Sequence, residues 1–278
     1  MLKLAGFTDE IGPTIEEQIQ GAKANGLTHI EIRNVDKVNI SEIKGDARAA
    51  IKKKLDDAGL GVCSIGSPIG KVAVDKPWQE HLDKFKFIVE QAQFFGAPLI
   101  RVFSYYPAGG EGKGPLDPIR DEVLKRFREK VAYIQSLPVT LVHENEKGIY
   151  GDIGRRCEDL MKSIDSPKLR CAFDFANFVQ CGDDPQANWP LLKAYTAHIH
   201  IKDAIKGSGK VVPAGQGDGG VEPILVDAYK NGYRGFVSLE PHLKVAGHSH
   251  GETGADLFKV AADALKTILK RNNIPLES

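Results

Sequence analysis

The chain has 278 residues, close to the roughly 250 of one eight-stranded β/α barrel, and its 42% apolar and 27% charged residues are ordinary for a globular protein. Lysine plus arginine balances aspartate plus glutamate at 37 each, which gives no general attraction to a polyanion, so neither nucleic acid nor a membrane surface is expected as a partner. No apolar run approaches the roughly 18 residues that cross a bilayer.

From the N-terminus, short β-branched runs alternate with longer amphipathic stretches. The strand-like runs are Leu2–Phe7, His29–Ile32, Gly61–Ile65, Leu99–Phe103, Val139–His143, Leu169–Phe173, His198–Ile201 and Phe236–Leu239. Helical periodicity is read at Thr14–Ala24, Ile51–Ala58, Gln79–Phe95, Arg120–Ser136, Glu158–Ser163 and Ala255–Lys270. Gly26, Gly59 and Gly96 follow helical stretches, as glycine at a helix C-terminus should. Pro98 and Pro138 stand at strand entrances, where a missing N–H does little harm. Strict alternation implies parallel strands with crossover helices, and eight repeats favour closure. The expected fold is an α/β (β/α)8 TIM barrel forming a single domain over 1–278. An open doubly wound sheet would carry a glycine-rich first turn, but this one reads Thr8-Asp9-Glu10-Ile11-Gly12-Pro13.

Met1 to Gly12 lacks the basic start and apolar stretch of a signal peptide. Cys63, Cys157, Cys171 and Cys181 are scattered without a C-x-x-C pair, which suits reduced thiols. A cytoplasmic location is the expectation.

Barrel active sites lie at the carboxyl ends of the strands. The fifth run stops at Glu144, the sixth at Asp174, the seventh reads His198-Ile199-His200-Ile201-Lys202-Asp203, and the eighth stops at Glu240. A single acidic residue after a strand is commonly an N-cap or a solvated loop residue. Four successive strand ends delivering carboxylate, carboxylate, imidazole and carboxylate are harder to assign to chance. Three such carboxylates would repel one another without a cation, and the donor set suits one divalent ion such as Mn²⁺, Co²⁺, Mg²⁺ or Zn²⁺.

The Glu144-Asn145, Asp174-x-x-Asn177, His200-x-Lys202-Asp203 and Glu240-Pro241-His242 segments resemble the xylose isomerase-like TIM barrels, a group of sugar isomerases, ketose 3-epimerases, inosose dehydratases and endonuclease IV relatives. The resemblance extends to Gly6-Phe7-Thr8-Asp9-Glu10 and Ser67-Pro68-Ile69-Gly70-Lys71. It implies that Glu144, Asp174, His200 and Glu240 bind the metal and that Glu144 and Glu240 also serve as acid/base groups. The chain departs from many epimerases of the group in having Asn177 where they carry histidine. It also has Tyr150 where ketose 3-epimerases carry a further glutamate.

The chemistry expected is proton abstraction beside a carbonyl, with the resulting enediolate stabilised at the metal. Proton return at another carbon or face gives an isomerase or epimerase acting on a small carbohydrate. Loss of a β-hydroxyl gives a lyase of the inosose dehydratase kind. A DNA-repair endonuclease on the same fold needs more histidine ligands and a basic surface, and a non-catalytic sugar-binding barrel needs no complete ligand set. Manganese, cobalt, magnesium and zinc all suit this donor set, and a homo-oligomer is compatible with the sequence.

Lys202, on the same side of its strand as His200, is expected to reach substrate and take part in catalysis. Glu31, Arg33, Lys71, Arg101 and His242 are expected against substrate. His143 alternates away from Glu144 and is read as packed. Tyr105 and Tyr106 suggest an apolar wall, Gly215–Gly220 a lid or a weak phosphate loop, and His248 and His250 a solvated pair.

Overall fold

The computed structural model describes residues 1–246 and 251–277. Eight parallel strands form a nearly closed barrel: β1 (Lys3–Gly6), β2 (His29–Ile32), β3 (Gly61–Ile65), β4 (Leu99–Val102), β5 (Thr140–Glu144), β6 (Leu169–Asp174), β7 (Thr196–Ile201) and β8 (Phe236–Leu239). Each ladder joins sequence neighbours, and β8 closes onto β1 with Lys3 opposite Phe236 and Gly6 opposite Leu239. Between β1 and β2 the Thr28 N–H donates to the Leu4 carbonyl at 3.2 Å. His248 and His250 lie outside the described residues.

Nine helices are described: α1 (Ile15–Ala24), α2 (Gly45–Ala58), α3 (Trp78–Phe95), α4 (Arg120–Tyr133), α5 (Gly154–Ile164), α6 (Phe175–Gln180), α7 (Pro185–Leu192), α8 (Val221–Lys230) and α9 (Ala255–Arg271). Helix α1 begins at a capping box in which the Thr14 hydroxyl accepts from Glu17 N–H while the Glu17 carboxylate accepts from Thr14 N–H. Gly59 and Gly96 close α2 and α3 in the left-handed conformation, at φ 71° and 69°, which costs glycine nothing for want of a Cβ. Helix α2 starts earlier than its apolar period suggests, because its first turn, Gly45–Arg48, is polar. Helices α6, α7 and α8 were not expected. The first is six residues long and the second carries Pro190 inside it, so neither offers a full amphipathic period.

Alternation along each strand divides the interior into two regions. Outward residues such as Ile100, Val102, Leu141, Phe173, Ile199, Ile201, Val237 and Leu239 join one continuous apolar layer with Ile88, Phe85, Phe127, Leu265 and Phe258 of the helices. Inward residues form a separate, smaller cluster low in the barrel, where Leu99, Val142 and Ala172 pack with Ala197 and Phe236. Two residues further along these strands the inward positions are Arg101, Glu144, Asp174 and Ser238, all buried. The barrel thus has an apolar floor and a charged upper layer.

Candidate metal centre and active site

Glu144, Asp174, His200 and Glu240 are all buried, and one ligand atom from each lies within 4.8 Å of the others. The strands deliver them in register: Asp174 pairs with His200 across the β6–β7 ladder, and Glu144 with Ala172 across β5–β6. Asp174 doubles as the N-cap of α6, its Oδ1 accepting from Asn177 N–H at 2.8 Å. Asn145 clamps the same residue, accepting from Asp174 N–H on Oδ1 at 3.0 Å and donating through Nδ2 to the Asp174 carbonyl at 2.9 Å. Asn177 also donates to Glu144 Oε1 at 3.2 Å.

Two atoms of this group have no hydrogen-bond partner although they are buried: Asp174 Oδ2 and His200 Nδ1. Lys202 Nζ lies 3.0 Å from Asp174 Oδ2 and Glu144 Oε1 lies 3.2 Å from His200 Nδ1, close contacts that are not aligned as hydrogen bonds. Buried donor atoms that converge without hydrogen bonds are the arrangement a cation would complete, on displacing any protons they carry. The other His200 nitrogen, Nε2, faces Glu31 Oε2 at 3.2 Å, the carboxylate–imidazole pairing that fixes the tautomer and orientation of a ligating histidine. These residues fit a divalent ion.

Glu31 therefore differs from the sequence expectation. It does not stand at the rim against substrate. It is fully buried inside the barrel, and its Oε2 also takes His198 Nε2 at 2.7 Å and the Ser238 hydroxyl at 2.9 Å. The physical reason is its position within β2 rather than after it, one level below the strand end. Glu31, His198 and His200 form a second cluster with metal-donor atoms, in which Glu31 Oε2 is taken up by both imidazoles and Ser238 while Glu31 Oε1 and His198 Nδ1 have no hydrogen-bond partner.

Arg33 and Arg101 reach the centre from β2 and β4. Arg33 binds Asp9 through two parallel contacts of 2.8 and 3.1 Å and touches Glu240 Oε1 at 3.1 Å. Arg101 Nη1 bridges Glu144 Oε2 at 3.1 Å and Glu240 Oε1 at 3.3 Å. Lys202 reaches Glu240 Oε2 at 3.1 Å. His242, held at φ 46°, donates its backbone N–H to Glu10 Oε2 at 2.9 Å, and its Nε2 lies 3.2 Å from Glu10 Oε1 and 3.5 Å from Glu240 Oε1. Lys71 pairs with Glu146 at 2.9 Å and lies over the Phe103 ring.

Asp9 and Glu10 were missed as site residues. The rule that found Glu144, Asp174 and Glu240, an acidic residue just past an apolar run, applies equally to Thr8-Asp9-Glu10 after β1. His143 points outward as expected, with its Nε2 2.9 Å from the Ser104 hydroxyl and its ring against Phe127. Tyr105 forms no wall to the site. It is buried against α4, where its hydroxyl accepts from Lys130 at 3.0 Å.

Electrostatics separate the carboxylates. Burial pushes Asp174 up, the Glu144 and Glu240 charges add to it, and Lys202 only partly opposes them, so its carboxyl reaches about 7. Burial also acts on Glu144, but His200 and Arg101 outweigh it and hold the group at about 2. Glu240 is held well below the usual carboxylate range against burial, chiefly by Lys202 and His242. His200 is raised well above the usual imidazole range because Glu31 and Glu144 overcome the burial that would lower it. Two carboxylates are thus held ionised, while a third retains a proton until a cation replaces it.

A β/α barrel with a buried carboxylate–imidazole cluster at the carboxyl ends of its strands defines the class. A model of the xylose isomerase-like TIM barrel matches residues 19–270, and the chain belongs to that family. By sequence alone, no curated protein matches. Among solved structures, the IOLI protein with a bound zinc atom superimposes with a TM-score of 0.76 at 15% identity, covering 98% of this chain and 99% of that one. The probable 3-DHS dehydratase AsbF of Bacillus anthracis, involved in petrobactin synthesis, gives 0.73 at 17% identity over 95% and 99% of the two chains. The 3-keto-D-glucoside 4-epimerase YcjR of E. coli gives 0.71 at 14% over 97% and 100%. Similarity at this level establishes the shared fold. Among the described residues, no helix is long and apolar enough to cross a membrane.

Proposed function

We propose that the protein is a divalent-metal-dependent isomerase or epimerase that acts on a sugar, keto-sugar or polyol-derived ketone. The observation that carries this reading is the convergence of Glu144, Asp174, His200 and Glu240, with Asp174 Oδ2 and His200 Nδ1 left without hydrogen bonds. These four residues would hold Mn²⁺, Co²⁺, Mg²⁺ or Zn²⁺. A bound ion would polarise the substrate carbonyl and stabilise the negative charge that grows on its oxygen when the adjacent carbon loses a proton.

Glu144 and Glu240 are the proton-transfer groups. Both are ionised across the neutral range, so each can accept a carbon-bound proton and return it to a different carbon or face. Arg101 touches both and keeps their charges fixed in place. Lys202 supplies an ammonium beside Asp174 and Glu240, placed to bind a substrate oxygen. Arg33, His242 and Lys71 complete the substrate-binding set, while Glu31 orients His200.

A lyase outcome on the same site is the second reading. It is favoured by Lys202, whose ammonium can protonate a departing β-hydroxyl once the same carbon acid has been deprotonated, and by the likeness to a probable dehydratase. The test is incubation of metal-loaded protein with ketoses and inososes in D₂O. Deuterium entering a carbon next to the carbonyl at unchanged covalent framework identifies an isomerase or epimerase, and loss of one water identifies a lyase. No exchange with any carbonyl sugar would sink both readings.

A further inference from the structure

After β7, at the mouth of the barrel, the chain runs through Gly215-Gln216-Gly217-Asp218-Gly219-Gly220 into the N-terminus of α8. Many barrels bind the phosphate of their substrate in this region, on backbone N–H groups of the loops after the seventh and eighth strands. Here the N–H groups of Gly215, Gly217 and Gly219, in the loop after the seventh strand, are already used. The wholly buried Asp203 side chain accepts from Gly215 N–H at 2.9 Å and Gly217 N–H at 3.0 Å on Oδ2, and from Gly219 and Ala204 N–H at 2.9 Å each on Oδ1. A Cβ at position 217 would lie 2.5 Å from Asp203 Oδ1, and one at 219 would lie 2.7 Å from it. The glycines are needed so that the loop can close on a carboxylate of its own chain. Asp218 is turned elsewhere, accepting from Lys206 N–H at 2.6 Å.

The charge balance points the same way. Asp9, Glu10, Glu31, Glu144, Asp174 and Glu240 surround the centre, against the imidazoles of His200 and His242 and the permanent cations Arg33, Arg101 and Lys202, of which Arg33 already faces three of these carboxylates and the other two face two each. A divalent ion would offset much of that excess. A phosphate dianion would restore it without a partner of its own.

We propose that the substrate of this site is an uncharged polyhydroxy carbonyl compound without a phosphate group, and that Asp203 is a built-in anion filling the backbone cradle where a phosphate would otherwise sit. The substrate half rests on the carbohydrate reading above; the cradle half does not. Asp203 also anchors the backbone beside Lys202, so the filled cradle fixes the direction of that lysine.

Inorganic phosphate is the direct probe of the cradle. When ¹⁵N-labelled, Mg²⁺-loaded wild-type protein is titrated with it, the amide signals of Gly215, Gly217 and Gly219 are expected to stay in place. Saturable shifts at those three glycines would overturn the proposal. In Asp203→Ala the emptied cradle is expected to bind phosphate or formate, seen as anion-dependent thermal stabilisation that the wild type lacks. Should that variant not fold, the wild-type titration still decides. Calorimetry on the metal-loaded protein then compares neutral ketoses and inososes with their phosphate esters. The esters are expected to bind at least about tenfold more weakly, since like charge is placed against like, and tighter binding of an ester contradicts the substrate half. If neither class binds, the carbohydrate reading fails while the glycine signals still judge the cradle.

Discussion

In β7 the outward residues Ile199 and Ile201 join the apolar layer beneath the helices, while the inward residues His198 and His200 sit in hydrogen-bonded contact with Glu31. In β5 the outward Leu141 belongs to the same apolar layer, and the inward Glu144 belongs to the charged centre. The two faces of one strand thus perform separate tasks. The outer face holds the fold by burying hydrocarbon, which is non-directional and tolerant of detail. The inner face collects charges that oppose one another and are tolerable only when paired. Stability and function are therefore divided by side-chain parity along the same few residues.

Substitutions on the two faces should consequently be read by different measurements. On the outer face, Phe258→Ala removes a fully buried ring that packs against Gly6 of β1. It is expected to cost about 3–5 kcal/mol of unfolding free energy by denaturant titration, with metal bound per folded molecule unchanged. On the inner face, Glu144→Gln is expected to lower turnover by about 10²–10⁴-fold through loss of a proton acceptor, and to lower the unfolding midpoint of the metal-free protein as well, because Arg101 and His200 lose a buried charge partner. A large fall in stability with turnover intact would show that the division by parity is wrong.

Smaller effects sharpen the comparison. Glu31→Gln leaves the four converging residues in place but weakens the carboxylate that orients His200, so metal affinity is expected to drop by about 10–100-fold in a competition assay with a chelating dye. Unchanged affinity would return Glu31 to some other duty. The pH dependence of the metal-free protein tests Asp174. Its folded-state carboxyl, at about 7, lies above the ordinary value of 3.8, so its contribution to stability is complete below pH 3.8 and is lost as pH rises through 7. His200, also raised, acts in the same direction at higher pH. Glu144, held at about 2, acts oppositely and matters only as pH falls below 4.5. Across pH 4.5 to 7 the stability of the metal-free wild type relative to Asp174→Asn should fall as pH rises; His81 and His143, buried as neutral imidazoles with values near 3, give an opposite slope that both proteins share. Metal affinity should rise over the same interval, because the ion displaces the protons.

Much of the barrel was legible because the outer face obeys simple periodicities. All eight strands were read at or within a few residues of their bounds, and the caps at Gly59 and Gly96 lie where an αL residue must end a helix. The convergence of Glu144, Asp174, His200 and Glu240 was also readable, since each stands at or beside a strand end. What escaped depended on depth and on contacts between distant segments. Glu31 lies inside β2, and nothing local reveals that it meets His198 and His200 from the opposite side of the barrel. The Gly215–Gly220 segment reads as a flexible or anion-binding loop, because its partner Asp203 is an ordinary acidic residue until the chain folds back onto it. Helices α6 and α7 are too short to show a period, and Asp174 discloses its capping of α6 only through the hydrogen bond to Asn177.

The most direct test of the central claim is elemental analysis of purified wild-type protein beside the double variant Glu144→Gln/His200→Ala, with circular dichroism to confirm that both are folded. The predicted result is about one equivalent of a divalent metal in the wild type and none in the variant. If the wild type holds no metal after incubation with Mn²⁺, Co²⁺, Mg²⁺ and Zn²⁺ in turn, or if the folded variant retains it, the charged inner layer is not a metal centre and the proposed chemistry falls with it.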